Sequence, residues 1–298
     1  MIDTAESFEL YRPLLFSIAY RMLGSAMEAE DMVQEAFLRY NSAPKGDIRS
    51  LKPFLTAIIT RLCLDQLKSA RVQRETYIGE WLPEPVLEGT AALMVNPAGR
   101  MSDYESISLA FLVLLESLTP VERAVFLLRE VFDYEYDEIA RIVGKEPANC
   151  RKLYSRAKKH LTAHRSLTVP RPSNHPPDAH RRITERFVQA LANGKVELFT
   201  ELLAEDVIMW ADGGGKVSAA RHAQVGRDAV ARLLAGLHKL APEGVRAELV
   251  TVNGSAGLRY VSGDQIFGIT ALDIGEDGRI YAIRNILNPD KLRHLQQV

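Results

Sequence analysis

Two proline- and glycine-rich interruptions set the strongest limit on how this chain can fold. Residues 77–101, YIGEWLPEPVLEGTAALMVNPAGRM, hold three prolines and three glycines, so no continuous helix can run through them. Residues 169–178, VPRPSNHPPD, hold four prolines in ten. The chain is thereby cut into three stretches with different hydrophobic patterning. From Phe8 to about Arg74 apolar residues recur at helical spacing, with one polar break from Asn41 to Ser50 that contains Pro44 and Gly46. Helical spacing resumes from Asp103 to about Leu167. Beyond His180, helical patterns at 180–203 and 227–240 accompany strand-like runs at 207–210, 247–252, 257–261, 265–274 and 279–287. The last two runs are joined by GEDG, a hairpin turn.

Composition removes several classes of protein. At 298 residues there is room for about two domains of roughly 150 residues, or for more and smaller modules. Thirty-seven Lys and Arg against 38 Asp and Glu leave a net charge of −1, so total charge argues neither for nor against nucleic acid. The two cysteines, Cys63 and Cys150, lie inside helical patterns without neighbouring Cys or His, which suggests neither a disulfide framework nor a metal site. No cofactor is expected. The start, MIDTAESFELYRP, carries acids rather than a basic region followed by an apolar one, and no apolar run approaches the roughly 20 residues of a membrane helix. A cytoplasmic protein is the expectation.

The most specific local pattern is YDEIARIVGKEPANCRKLYSRAKKHL, residues 136–161. Ile139, Ala140 and Val143 are assigned to the buried face of a short helix, Gly144 to its left-handed C-terminal position, and Pro147 to the first turn of the next helix. In that second helix Cys150, Leu153, Ala157 and Leu161 repeat at three to four residues and face inward, while Asn149, Arg151, Lys152, Arg156, Lys158 and Lys159 point elsewhere. An apolar back with long cations and amides in front is what a recognition helix of a helix-turn-helix requires. The competing reading is a solvated basic face. The short first helix, glycine turn and proline start favour DNA, with Asn149, Arg151, Lys152, Arg156 and Lys159 as the candidate contacts.

Upstream, Leu118 to Arg129 reads LTPVERAVFLLR, with Thr119 placed to cap a helix begun at Pro120. With the helix-turn-helix, this segment resembles region 4 of RNA polymerase sigma factors. The first stretch resembles sigma region 2, above all in AEDMVQEAFL at 29–38. Two such modules in this order, without an intermediate domain, resemble the compact extracytoplasmic-function sigma factors. The resemblance implies core RNA polymerase and promoter DNA as partners. It implies contact of the β′ coiled coil with Asp31, Gln34, Glu35 and Leu38, and of the β flap with region 4. It also implies minus-35 binding by the recognition helix. Minus-10 binding is implied for the 41–50 loop and the 53–74 helix, where Arg61, Lys68, Arg71 and Arg74 supply a basic bias. Phe54 stands where the family often has Trp.

The region beyond His180 resembles the SnoaL-like, or NTF2-like, α+β cone. Three short motifs resemble those of a sigma subgroup with this extension: Trp81-Leu82-Pro83-Glu84-Pro85, Asp212-Gly213-Gly214-Gly215-Lys216 and Asn288-Pro289-Asp290-Lys291-Leu292. Trp81 and Leu82 in a proline-stiffened segment need cover, and the fused domain is the nearest candidate. Asp212, His222, Tyr260 and Arg284 offer an enzymatic reading of the cone, but an Asp before three glycines is more often a turn residue. A regulatory, non-catalytic role is therefore expected.

The layout expected is a helical sigma region 2 at 1–76, a linker at 77–104, a region 4 helix-turn-helix at 105–167, a proline-rich linker at 168–178 and an α+β SnoaL-like domain at 179–298. The function expected is promoter-specific initiation modulated by the fused domain. The alternative is a helix-turn-helix regulator with a C-terminal domain that senses a small ligand.

Overall fold

In a computed structural model of the chain, the backbone is described at residues 4–44, 48, 50–87, 107–168, 177–240 and 244–296. Two compact units result, one of residues 1–75 with 89–164, the other of residues 76–88 with 165–298. Residues 45–47 and 49 of the expected loop at 41–50, the linker from 88 to 106 and the stretch at 169–176 lie outside the described residues, as do the side chains of Arg71 and Arg74.

The first unit is helical. Short α1 (Thr4–Glu9) precedes α2 (Arg12–Leu23), which is buried on every side from Leu14 to Leu23 and forms the centre of the module. The Ser25 hydroxyl accepts from the Glu28 amide at 3.1 Å and starts α3 (Ala26–Ser42), whose Ala29, Val33, Ala36 and Tyr40 are buried at helical spacing. The long α4 (Leu51–Glu75) buries Leu55, Ile59, Leu62, Cys63 and Leu67. The second helical module opens with α5 (Leu109–Leu115), capped by Ser108. Next comes α6 (Pro120–Glu130), capped by Thr119 as expected, with Glu122 completing a capping box.

The helix-turn-helix is α7 (Tyr136–Val143) and α8 (Pro147–Thr168). Gly144 ends α7 at φ 68° and donates its amide to Ala140, the left-handed stop expected of it. The buried face of α7 is Ile139, Ala140 and Ile142, with Val143 only half-buried: Ile142 and Val143, three and four residues after Ile139, flank the same face, and Ile142 is the one covered. The two modules of this unit are pinned together at several points. The Arg123 guanidinium, buried in α6, donates to the Met22 carbonyl at 2.6 Å and pairs with Glu116 at 2.7 Å. Thr56 of α4 and Tyr134 share a buried hydroxyl hydrogen bond of 2.7 Å.

The second unit is α+β. The expected helix at 180–203 is two helices, α9 (Pro177–Asn193) and α10 (Val196–Leu202), separated at Gly194. They lead into β1 (Leu203–Asp212), β2 (Gln224–Val225), α11 (Arg227–Leu240), β3 (Arg246–Val252), β4 (Ser255–Ser262), β5 (Gln265–Ile274) and β6 (Ile280–Ile286). The chain closes with α12 (Pro289–Leu292) and a 3-10 turn (Arg293–Leu295). Sheet order is β2-β1-β6-β5-β4-β3, with β1 parallel to β6 and the other pairs antiparallel. Register shifts in the β1–β6, β4–β5 and β5–β6 pairs bend the sheet. Phe187, Phe199, Met209, Leu234, Leu258 and Ile283 fill the space between α9–α11 and the sheet. The GEDG hairpin forms as expected, the Gly275 amide donating to the Arg279 carbonyl at 2.9 Å.

Candidate functional site

The polar centre of the second unit is Asp212, the last residue of β1. Its side chain is fully buried, and both carboxylate oxygens are occupied. Oδ1 accepts from the Tyr77 hydroxyl and from the Gly214 amide at 3.1 Å. Oδ2 accepts from the Leu82 amide at 2.8 Å and from Lys291 Nζ at 2.6 Å. Lys291 also donates to the Leu82 carbonyl, so one backbone residue is gripped at its N–H by a carboxylate and at its C=O by an ammonium. The Lys291 ammonium lies 4.2 Å from the Trp81 ring centroid and 5.0 Å from that of Tyr77, an aromatic lining that favours a desolvated cation. Burial and the hydrogen bond to the Asp212 carboxylate push the Tyr77 phenol well above its usual range.

The three motifs expected to act together are therefore assembled at one place. The Asp212 carbonyl accepts from the Leu287 and Asn288 amides, each at 2.8 Å, which brings the Asn288 motif alongside the glycine triplet. Asn288 caps α12 through the Asp290 amide at 3.0 Å and donates its amide nitrogen to the Tyr77 hydroxyl at 2.9 Å. Lys216 pairs with Asp290 at the exposed rim. Gly214 sits at φ 59°, and a Cβ there would lie 2.2 Å from the Asn288 side chain, so both conformation and space require glycine. Leu82, Pro83, Glu84 and Pro85 are buried, Trp81 is half-buried, and Leu292 is buried beneath α12.

Sequence reasoning missed the far end of this clamp. Val86 exchanges hydrogen bonds with Asn253, its amide donating to Asn253 Oδ1 at 3.0 Å and its carbonyl accepting from the Asn253 amide at 2.9 Å. Leu87 makes an antiparallel bridge to Val252, adding a short piece of strand to the edge of β3. His294 Nε2 lies 2.8 Å from the Pro85 carbonyl. In sequence Asn253-Gly254 is a turn signal only; that its side chain bonds a segment 167 residues away has no local trace.

The enzymatic reading of the cone finds no free acid or base in Asp212, whose oxygens are all engaged. His222 is exposed, Thr270 donates to the Tyr260 hydroxyl at 3.1 Å, and Arg284 pairs with Asp273 and stacks on Trp210 at 5.0 Å.

In the first unit Asp31, Gln34 and Leu38 are exposed on α3, and half-buried Glu35 pairs with Arg39 at 2.9 Å. On α4, Arg61 is turned onto the C-terminal carbonyls of α7, donating to Arg141 at 3.0 Å and Ile142 at 3.1 Å, where the helix dipole favours a cation. Lys68 pairs with exposed Asp65 at 2.8 Å. On α8, Asn149, Lys152 and Lys159 are exposed. Arg156 reaches back to Glu122 Oε1 at 2.5 and 2.9 Å and so fastens α8 to α6. Lys158 lies near the Tyr154 hydroxyl and Glu130, at 3.3 and 3.7 Å. Cys150, Ala157 and Leu161 are buried as expected, and Leu153 is half-buried. Among the described residues no group of His, Cys, Asp and Glu is arranged to hold a metal, and no helix is long and apolar enough to cross a membrane.

Residues 8–72 match the Sigma-70 region 2 family, residues 108–161 match Sigma-70 region 4, and residues 184–285 match the SnoaL-like domain. The ECF RNA polymerase sigma factor SigJ of Mycobacterium tuberculosis is 38% identical over 293 residues, covering 95% of this chain and 91% of its own. The probable ECF RNA polymerase sigma factor SigI of the same organism is 33% identical over 294 residues, covering 97% and 95%. A crystal structure of SigJ superimposes with a TM-score of 0.73 at 33% identity, covering 97% of this chain and 98% of that one. With both sigma modules, the fused cone and relatives matched over nearly their full length, the chain belongs to the extracytoplasmic-function RNA polymerase sigma factors, which direct transcription initiation, in the form that carries a SnoaL-like domain.

Proposed function

We propose that the SnoaL-like unit modulates initiation by holding the segment from Tyr77 to Leu87, the first part of the connection between the two promoter-reading modules. The observation that carries this reading is the Asp212–Lys291 pair closed around the Leu82 peptide. Release of the segment would lengthen the free connection between regions 2 and 4, and so change how the two modules span a promoter.

The remaining assignments complete this reading. Core RNA polymerase is engaged through its β′ coiled coil by Asp31, Gln34, Glu35 and Leu38, an acidic and apolar face suited to a basic helix, and through its β flap by region 4. Minus-10 DNA meets α4 at Arg61, Lys68, Arg71 and Arg74, and minus-35 DNA meets Asn149, Arg151, Lys152, Arg156 and Lys159. Arg61 would exchange the α7 carbonyls for phosphate when the promoter binds. The domain boundaries proposed are 1–76, 77–104, 105–167, 168–178 and 179–298.

Run-off transcription with purified core polymerase tests the modulation. Asp212→Ala and Trp81→Ala are expected to change transcript yield severalfold while circular dichroism of each variant stays that of the parent. Unchanged yield from both variants would remove the SnoaL-like unit from control of initiation.

A further inference from the structure

Of the recognition-helix cations, Arg151 is held in a distinctive way. Its guanidinium carbon lies 5.2 Å from the ring centroid of Tyr136, the first residue of α7. The ring is not a loose platform. Tyr136 packs edge-on against Tyr154 with centroids 6.1 Å apart, and Tyr154 stacks on Phe126 of α6, also at 6.1 Å. Tyr154 is further fixed by its hydroxyl, which donates to Glu130. Arg129 also lies 5.2 Å from the Tyr136 centroid, and its guanidinium is tied to the Tyr134 carbonyl at 2.8 Å and to Glu135 at 2.9 Å. The Glu135 carboxylate holds the Arg129 charge firmly and raises its pKa. A continuous aromatic series thus runs from α6 through α8 to the start of α7, and ends on the cation of Arg151.

We infer that Tyr136 is a positioning residue for minus-35 recognition, holding the Arg151 guanidinium in a preset orientation near the N-terminal end of the recognition helix. The inference rests on the minus-35 role proposed above for α8. N-terminal residues of a recognition helix are those that reach base edges, and a planar guanidinium reads a guanine with two donors at once only if its plane is correctly presented. A free arginine side chain must be ordered when it binds, at a cost of about 0.5–1.5 kcal/mol for a rotamer-rich side chain. Stacking on a fixed ring removes part of that cost beforehand. Tyr136 need not touch DNA for this, and its hydroxyl has no part in it.

The test uses holoenzyme assembled from the full chain and purified core polymerase, presented with duplexes randomised across the minus-35 region, and the bound pool is sequenced. Arg151→Ala is expected to flatten the base preference at one or two positions. Tyr136→Ala should flatten the same positions and weaken binding to the preferred duplex about fivefold, as expected when the ordering cost of one long side chain returns. The double variant should be no weaker than Arg151→Ala alone, and Tyr136→Phe should restore the preference. If Tyr136→Ala melts early, Tyr136→Leu decides, because it keeps apolar bulk against Tyr154 but offers the guanidinium no ring. Full preference in the leucine or alanine variant, or loss of preference in the phenylalanine variant, overturns the positioning role. Full preference in Arg151→Ala overturns instead the minus-35 role of Arg151 itself.

Discussion

Asp212 illustrates how much one buried carboxylate can organise. It satisfies a phenol, two backbone amides and an ammonium, and its removal would leave the buried Leu82 amide without an acceptor and the Lys291 ammonium with the Leu82 carbonyl but no counter-charge. Asp212→Ala is expected to destabilise the second unit by about 3–5 kcal/mol and to free the Tyr77–Leu87 segment. Acrylamide quenching of Trp81 fluorescence, measured in a Trp210→Phe background, should rise sharply; unchanged quenching would mean that the apolar burial of Leu82 and Val86 suffices to hold the segment. Gly214→Ala tests the same clamp from its other side. A left-handed φ with a Cβ 2.2 Å from Asn288 gives an expected cost of about 1–3 kcal/mol, seen as a lower thermal midpoint. The importance of Asp212 and the glycines, and their grouping with the Trp81 and Asn288 motifs, was legible in sequence, but the atoms that pair, and Tyr77 among them, were not. Nothing near Asp212 in the chain identifies Tyr77, 135 residues away, as its hydrogen-bond donor.

Helices and strands were easier to anticipate than their junctions. Thr119 and Pro120 predict the start of α6, and Gly144 and Pro147 predict the turn between α7 and α8, because capping acts within a few residues. The split between α9 and α10 escaped notice because apolar spacing continues across Gly194. What fastens α8 to α6 was likewise invisible: Arg156, which reads as a DNA contact, also bonds Glu122. Burial opposes ionisation of Glu122, but the hydrogen bonds from Thr119 and Arg156 outweigh it, so its pKa is lowered from the ordinary 4.5. A depressed carboxylate pKa contributes stability that is present above the unfolded-state value and lost as pH falls through the folded value. The difference in thermal midpoint between the parent and Glu122→Gln should therefore be full at pH 6–7 and shrink steadily below about pH 4.5. A difference independent of pH would show that the charge on Glu122 does not act through α6 and α8.

On the function proposed above, regions 2 and 4 meet one promoter together, so activity depends on what the connection between them allows. Leu87 and Val252 face each other across an antiparallel bridge, a geometry in which paired cysteines can join. Both native cysteines are buried, so they should not compete. Leu87→Cys with Val252→Cys should lock the segment to β3 when oxidised. Run-off yield is expected to differ at least fivefold between the oxidised and reduced forms of this variant, with no such difference in the parent; equal yields would show that the segment can stay docked throughout initiation.

The amino-acid sequence by itself determined the helical modules, the helix-turn-helix, the α+β class of the last domain and the family, because each depends on periodicity, capping and short motifs that act over a few residues. The fused domain was the expected cover for Trp81 and Leu82, but only the tertiary structure decided that the whole of residues 76–88 belongs with it, and through which groups it is held. The physical reason is that a linker has no periodicity from which to read a partner. Its place is set by a carboxylate 130 residues from Leu82, a lysine 209 residues away and an asparagine 167 residues from Val86, which come together only when the sheet of the second unit has formed.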